Sequence, residues 1–107
     1  MSRQKLSVIV PCYNEEKTLS IIVEKILEAD VLDLDLEVLI IDDASQDRSP
    51  EIAEKLVREY DNVQLIQHQH NQGKGAALAN GIGLATGDIV LIQDADLEYD
   101  PPSTQTS

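Results

Sequence analysis

The chain contains no phenylalanine and no tryptophan, and only three tyrosines. Its core must therefore be aliphatic rather than built on ring packing. A single cysteine, Cys12, excludes an intramolecular disulfide and fits a reducing compartment. Cations are scarce: 8 Lys and Arg stand against 20 Asp and Glu, a formal net charge of -12. That balance argues against a nucleic-acid backbone or an anionic membrane as a direct partner. It leaves room for a small anionic ligand if a metal mediates. No apolar run approaches the ~20 residues that span a bilayer. The short apolar stretch after Met1-Ser2-Arg3-Gln4-Lys5 ends at Pro11, so no signal peptide is expected, and the expected location is cytoplasmic. The length of 107 residues suits one small domain, expected over 1–101, with the polar residues 102–107 as a disordered tail.

Glycine is missing where the common phosphate cradles need it. The first strand is followed by Pro11-Cys12-Tyr13-Asn14-Glu15, with no dinucleotide fingerprint. Gly73-Lys74-Gly75 lacks the upstream glycine and trailing hydroxyl of a P-loop. A pocket in this chain must hold its ligand by carboxylates, backbone and metal.

What is present is a regular alternation of short apolar runs and amphipathic stretches. Residues 6–10 read as a strand, and residues 11–14 as a loop whose Asn14 caps a helix with Glu15 and Glu16 in its first turn. Leu19, Ile22, Val23, Ile26 and Leu27 give that helix one apolar face. After an acidic connector at 31–35, residues 37–41 form a second strand, ending in Asp42-Asp43-Ala44-Ser45-Gln46-Asp47. Ser49-Pro50-Glu51 reads as a capped helix start, with Ile52, Ala53, Leu56, Val57 and Tyr60 facing the core. Residues 63–66 are a third strand, polar enough for an edge. A polar loop, 68–75, leads to a third helix from Ala76, with Gly87 as its stop and Gly81 and Gly83 allowing close packing on the sheet. Residues 89–92 are a fourth strand. The order βαβαβαβ predicts an α/β, Rossmann-like open parallel sheet with right-handed crossovers. Strand order 3-2-1-4 would bring the polar exits of strands one, two and four together, where such sheets bind ligands.

The last exit is the most telling. Directly after the wholly apolar Ile89-Val90-Leu91-Ile92 come Asp94, Asp96 and Glu98, at alternate positions. Carboxylates crowded at a strand end call for a counter-ion, and oxygen ligands suit a hard divalent cation, Mg²⁺ or Mn²⁺. The plain alternative is a solvated turn running into Tyr99-Asp100-Pro101. Asp43 suits a base N–H or a ribose hydroxyl, with Asp42 and Asp43 as ordinary turn residues the alternative. Glu15 either bonds a ribose or simply favours the helix N-terminus, and Tyr13 either stacks on a base or covers the strand end. Lys74 either approaches a diphosphate or stays an exposed loop lysine. His68 and His70, without a third ligand nearby, read as surface residues, and Cys12 as packing.

Four segments also resemble, in order and spacing, the family 2 nucleotide-sugar glycosyltransferases of GT-A fold. They are Ser7-Val8-Ile9-Val10-Pro11-Cys12-Tyr13-Asn14-Glu15-Glu16, residues 37–49, Asn71-Gln72-Gly73-Lys74-Gly75-Ala76, and residues 87–101 with its DxD. The nearest likeness is to the dolichol-phosphate mannose synthase branch and its bacterial polyprenyl-phosphate relatives. The resemblance implies that Pro11, Tyr13, Glu15, Ile41 and Asp43 hold the nucleoside. It implies that Asp94, Ala95 and Asp96 meet the diphosphate and that Asp94, Asp96 and Glu98 hold the metal. The implied donor is a GDP- or UDP-hexose, transferred with inversion to an acceptor such as polyprenyl phosphate. Family members continue well beyond Pro101, so the chain is expected to be the nucleotide-binding half of such an enzyme, with the catalytic base elsewhere. In that case the fourth strand is left as an apolar edge that invites a second copy.

Two other classes compete. A non-catalytic, Mg²⁺-binding acidic module of the phospho-receiver type wants an acidic pair after strand one and a late lysine, and the chain has neither. A nucleotidyltransferase wants a glycine-rich basic loop after strand one, which is also lacking.

Overall fold

The computed structural model describes residues 4–29 and 34–95. Seven elements alternate: β1 (Gln4–Cys12), α1 (Leu19–Glu28), β2 (Leu34–Asp42), α2 (Ser49–Glu59), β3 (Val63–Gln67), α3 (Lys74–Leu84) and β4 (Ile89–Ile92). The strands form one sheet, every pair parallel, in the order β3-β2-β1-β4. The expected α/β class and strand order are therefore the ones found. The putting of β1 and β2 at the centre follows from composition. Val8, Ile9 and Val10 of β1 and Val38, Leu39, Ile40 and Ile41 of β2 are all buried, as strands covered on both faces must be.

The faces are filled unequally. On one, Leu6, Val8, Val10, Val38, Ile40 and Val63 pack with Leu19, Ile22 and Val23 of α1 and Ala53 and Leu56 of α2. On the other, Ile9, Leu39 and Ile41 pack with Ala77 of α3, with Ile66, Leu78 and Ala85 against them. Contact there is close because of Gly81: a Cβ at that position would collide with the Ile9 side chain and press on Ile41. Gly83, expected to serve the same purpose, has open space around it. Gly87 does not stop α3, which is capped by Ala85. It instead lets the chain pass β1, since a Cβ there would lie 2.8 Å from the Lys5 carbonyl.

The end of the sheet far from the strand exits is pinned by Glu37. Its buried carboxylate accepts from Ser7 Oγ (2.6 Å) and the Thr86 N–H (2.8 Å), and Lys5 Nζ lies 3.3 Å away. Burial pushes the Glu37 carboxyl up, but these donors outweigh it and hold it below the ordinary carboxylate range.

Several element boundaries differ from expectation. Pro11 and Cys12 continue β1 instead of leaving it, because β2 runs alongside as far as Asp42. Leu34 and Asp35, read as connector, pair with Gln4 and Lys5. Ser49 is the first residue of α2, with Arg48 at the cap position. Asn14 does not cap α1. It sits in the left-handed region (φ 55°), and α1 begins only at Leu19. Among the described residues, no helix is long and apolar enough to cross a membrane.

Candidate functional site

The loops leaving β1 and β2 are laced together before they become helices. Asn14 N–H donates to Ser45 Oγ, Glu15 N–H to Ser49 Oγ and Glu16 N–H to Asp47 Oδ2. In return Gln46 N–H donates to Asn14 Oδ1 and Arg48 N–H to Glu16 Oε1. The polar residues that look like helix-start signals are spent on this lacing, which fixes the two exits relative to each other. Asp47 is held below the ordinary carboxylate range. Burial raises it, but bonds from the Ser49 side chain and N–H and from the Glu16 N–H prevail. On the β4 side, Gln93 N–H donates to the Ile9 carbonyl and Thr18 Oγ1 to the Ala95 carbonyl, tying the third exit to β1 and to the start of α1.

These bonds frame a cavity of about 250 Å³ lined by Pro11, Tyr13, Glu15, Asp43, Lys74 and Asp94, among others. The exits of β1, β2 and β4 thus converge, as the strand order predicts. Tyr13 is partly exposed at the rim, whereas Asp43 is buried. Lys74, the first residue of α3, reaches across so that its Nζ lies 2.7 Å from Asp94 Oδ1. Ala95 lines the cavity too and is buried. Ile41 does not line it: it packs into the core under α3. Asp96 and Glu98 lie outside the described residues. Cys12 forms part of the wall, and burial pushes its thiol up to about 12, so it is a neutral packing group.

Asp42 and Asp43 part company. Asp42 turns into the interior, with Oδ2 accepting from the Ser45 N–H. Asp43 accepts from His68 Nδ1 and from the N–H groups of Gln72 and Gly73. Burial raises its carboxyl, but the Gln72, His68 and Gly73 bonds together hold it below the usual range. His68, expected at the surface, has a side chain only 4% exposed and sits behind Asp43. Asn71, Gly73 and Ala77 are further lining residues that no individual reading singled out. They reach the site because Asp43 draws the loop before α3 inward, a contact 28 to 30 residues away in sequence.

A hard divalent cation fits the chemistry of this cavity. Glu15, Asp43 and Asp94 offer only oxygen donors, and a cationic ammonium already rests against Asp94. Among the described residues no three such side chains converge as a complete metal site. The remaining expected ligands, Asp96 and Glu98, fall beyond them.

The fold is similar to that of solved proteins that hold nucleotide ligands. The mannosyltransferase PcManGT of Pyrobaculum calidifontis, solved with GDP-Man and Mn²⁺, superposes with a TM-score of 0.79 at 33% identity, over 90% of this chain and 28% of that one. Residues 1–349 of S. aureus TarS, solved with UDP, give a TM-score of 0.77 at 33% identity, over 86% and 27% of the respective chains. In sequence, the dolichol-phosphate mannosyltransferase of Pyrococcus furiosus is 36% identical over 97 residues, covering 91% of this chain and 27% of the relative. The dolichyl-phosphate beta-glucosyltransferase of Mus musculus is 35% identical over 101 residues, covering 87% and 31%. Residues 7–105 match the model of glycosyl transferase family 2, and the chain belongs to that family. It spans less than a third of the length of these relatives.

Proposed function

We propose that the chain is the donor-binding part of a glycosyltransferase, and that its cavity takes a nucleoside diphosphate sugar together with Mg²⁺ or Mn²⁺. The observation that carries this reading is the meeting of Tyr13, Glu15, Asp43, Lys74 and Asp94, from separate segments, around one cavity at the strand exits. Asp43 and Glu15 supply acceptors for base and ribose, and Tyr13 an aromatic face at the rim. Lys74 supplies the cavity's positive charge for a diphosphate, in a lining that otherwise carries three acids. The cation, held by Asp94 with Asp96 and Glu98, would neutralise the departing diphosphate. The chain's own residues hold the donor, orient its diphosphate towards α3 and keep the sugar at the open side. Polyprenyl phosphate is the proposed acceptor, supported by the dolichol- and undecaprenyl-phosphate enzymes among the relatives. Such an acceptor is already ionised at neutral pH, so it needs little help from a base. Self-association through β4 belongs to the same reading of this chain.

A thermal-shift panel of UDP and GDP, with and without Mn²⁺, tests the proposal. Binding at a hundred times Kd should add about 2.7 kcal/mol of stability, a rise on the order of 10 °C for a domain of this size. The rise should require the metal. No shift with either nucleotide would remove the reading.

A further inference from the structure

The Asp43 carboxylate is nearly filled by its own chain. Oδ1 accepts from His68 Nδ1 and from the Gln72 N–H, and Oδ2 accepts from the Gly73 N–H, all at 2.8 Å. A carboxylate offers about four acceptor positions, two on each oxygen. Three are taken, and the one left is on Oδ2. Asp43 is 4% exposed and is one of the residues that line the cavity.

His68 is what completes Oδ1. An ionised carboxylate only accepts, so the shared proton belongs to His68 Nδ1. Nε2 meets the Asn80 side-chain amide of α3, whose N–H it accepts when the ring is neutral. The imidazole is thereby held between β3's exit and α3. It contributes nothing to the cavity wall and acts only through Asp43.

We infer that His68 is a positioning residue that leaves Asp43 a single acceptor, and so selects a base with one edge N–H, a uracil, over guanine. This rests on the nucleotide reading above. The uracil imide carries one N–H between two carbonyls and needs one acceptor. Guanine presents its ring N–H and its amino group side by side, a pair that a free carboxylate meets with both oxygens. Here Oδ1 is full. One guanine donor would stay unpaired against a buried wall, a loss on the order of tenfold in affinity. The same reasoning separates substrates in sites built around a fixed number of polar partners.

Titration calorimetry on the whole chain, with UDP and GDP each in saturating Mn²⁺, tests this. UDP should bind tighter by about tenfold. His68→Ala frees a position on Oδ1 and should bring the two affinities to within about threefold. His68→Asn keeps a side-chain N–H near the place of Nδ1 and should restore the wild-type ratio. A ratio measured on one sample is indifferent to how much protein is folded, so a merely structural role for His68 would leave it unmoved. Equal or tighter GDP binding by the wild type overturns the inference, as does an unchanged ratio in His68→Ala. If neither diphosphate binds the wild type, the nucleotide reading itself falls, and the inference with it.

Discussion

Asp42 and Asp43 are neighbours in the chain but meet different surroundings, because successive residues leaving a strand point to opposite sides of the sheet. One is turned into the interior and the other lines the cavity. That two acids after an apolar strand would divide in this way is readable from the sequence alone. So is the polar character of every exit, since a buried strand must be apolar until it ends. His68 is not readable. Its meaning lies in a partner 25 residues upstream, and a histidine after a strand carries no local sign of it. Asn14 misleads for a related reason: a good capping side chain was available, and a cross-loop bond used it instead. Lys74 gives the prediction proper to this scale. Its ion pair with Asp94 joins two side chains that are 59% and 44% exposed, so solvent screens it and it adds at most ~1 kcal/mol to stability. Lys74→Ala should shift the melting temperature by only a few degrees, while weakening UDP–Mn²⁺ binding about tenfold in calorimetry, more at low salt than at high. A large melting shift with unchanged affinity would make Lys74 a structural residue.

The elements alternate legibly because the strands are short continuous apolar runs, whereas the helices are apolar at a spacing near four. Their ends are harder to read. Pro11 and Cys12 look like turn chemistry but stay in β1, since Pro11 pairs with Ile41 in a parallel ladder near the sheet's exit. Two of the three glycines of α3, Gly81 and Gly83, separate helix propensity from packing. Gly81 lies against Ile9 and Ile41, so Gly81→Ala must displace a buried side chain or the helix itself, costing about 1–3 kcal/mol. A Cβ added at Gly83 would meet nothing within 4 Å outside its own helix backbone, so Gly83→Ala should stabilise the chain by about 0.5–1 kcal/mol. Urea denaturation of the pair should show midpoints moving in opposite directions; the same sign for both would mean that α3 is not seated as described. The carboxylates that join elements add a pH dependence. Glu37, Asp43 and Asp47 all lie below their ordinary values of 4.5, 3.8 and 3.8 in the fold. The unfolded chain therefore binds more protons, and the stability these groups contribute is complete above the ordinary values. It is lost as pH falls through the lowered ones. Melting temperature should hold on the acid side down to about pH 5 and then drop steeply. Glu37→Gln should lower it at neutral pH and flatten that drop. An unaltered acid limb in Glu37→Gln would show that the Ser7, Thr86 and Lys5 contacts do not favour the charged form.

Across the whole molecule, the order β3-β2-β1-β4 follows from wanting the polar exits of three strands in one place, and the structure has that order. The unequal cover of the sheet could not be read in the same way. Right-handed crossovers in this strand order put α1 and α2 on one face and α3 on the other, but they do not say how far each helix reaches. The helices leave much of β4 open. Ile89 and Leu91 pair with Leu6 and Val8 and so share the α1–α2 face, while Val90 and Ile92 pair with Ser7 and Ile9 and share the α3 face. All four are 38–53% exposed, and Ile82 and Leu84 of α3 are exposed as well. The outer edge of β4 is also unpaired among the described strands. A flat apolar edge with no charge, proline or bulge is a template for another strand. The isolated chain should therefore associate through β4, most simply by antiparallel pairing with a second copy, which closes the edge with two-fold symmetry. Light scattering at tens of micromolar should report twice the 11.8 kDa chain mass. Leu91→Lys places a charge in the middle of the strand and should return the mass to that of one chain, with little change in melting temperature because the side chain is already half exposed. A single-chain mass for the unaltered protein at that concentration would mean that β4 is shielded by some other part of the chain.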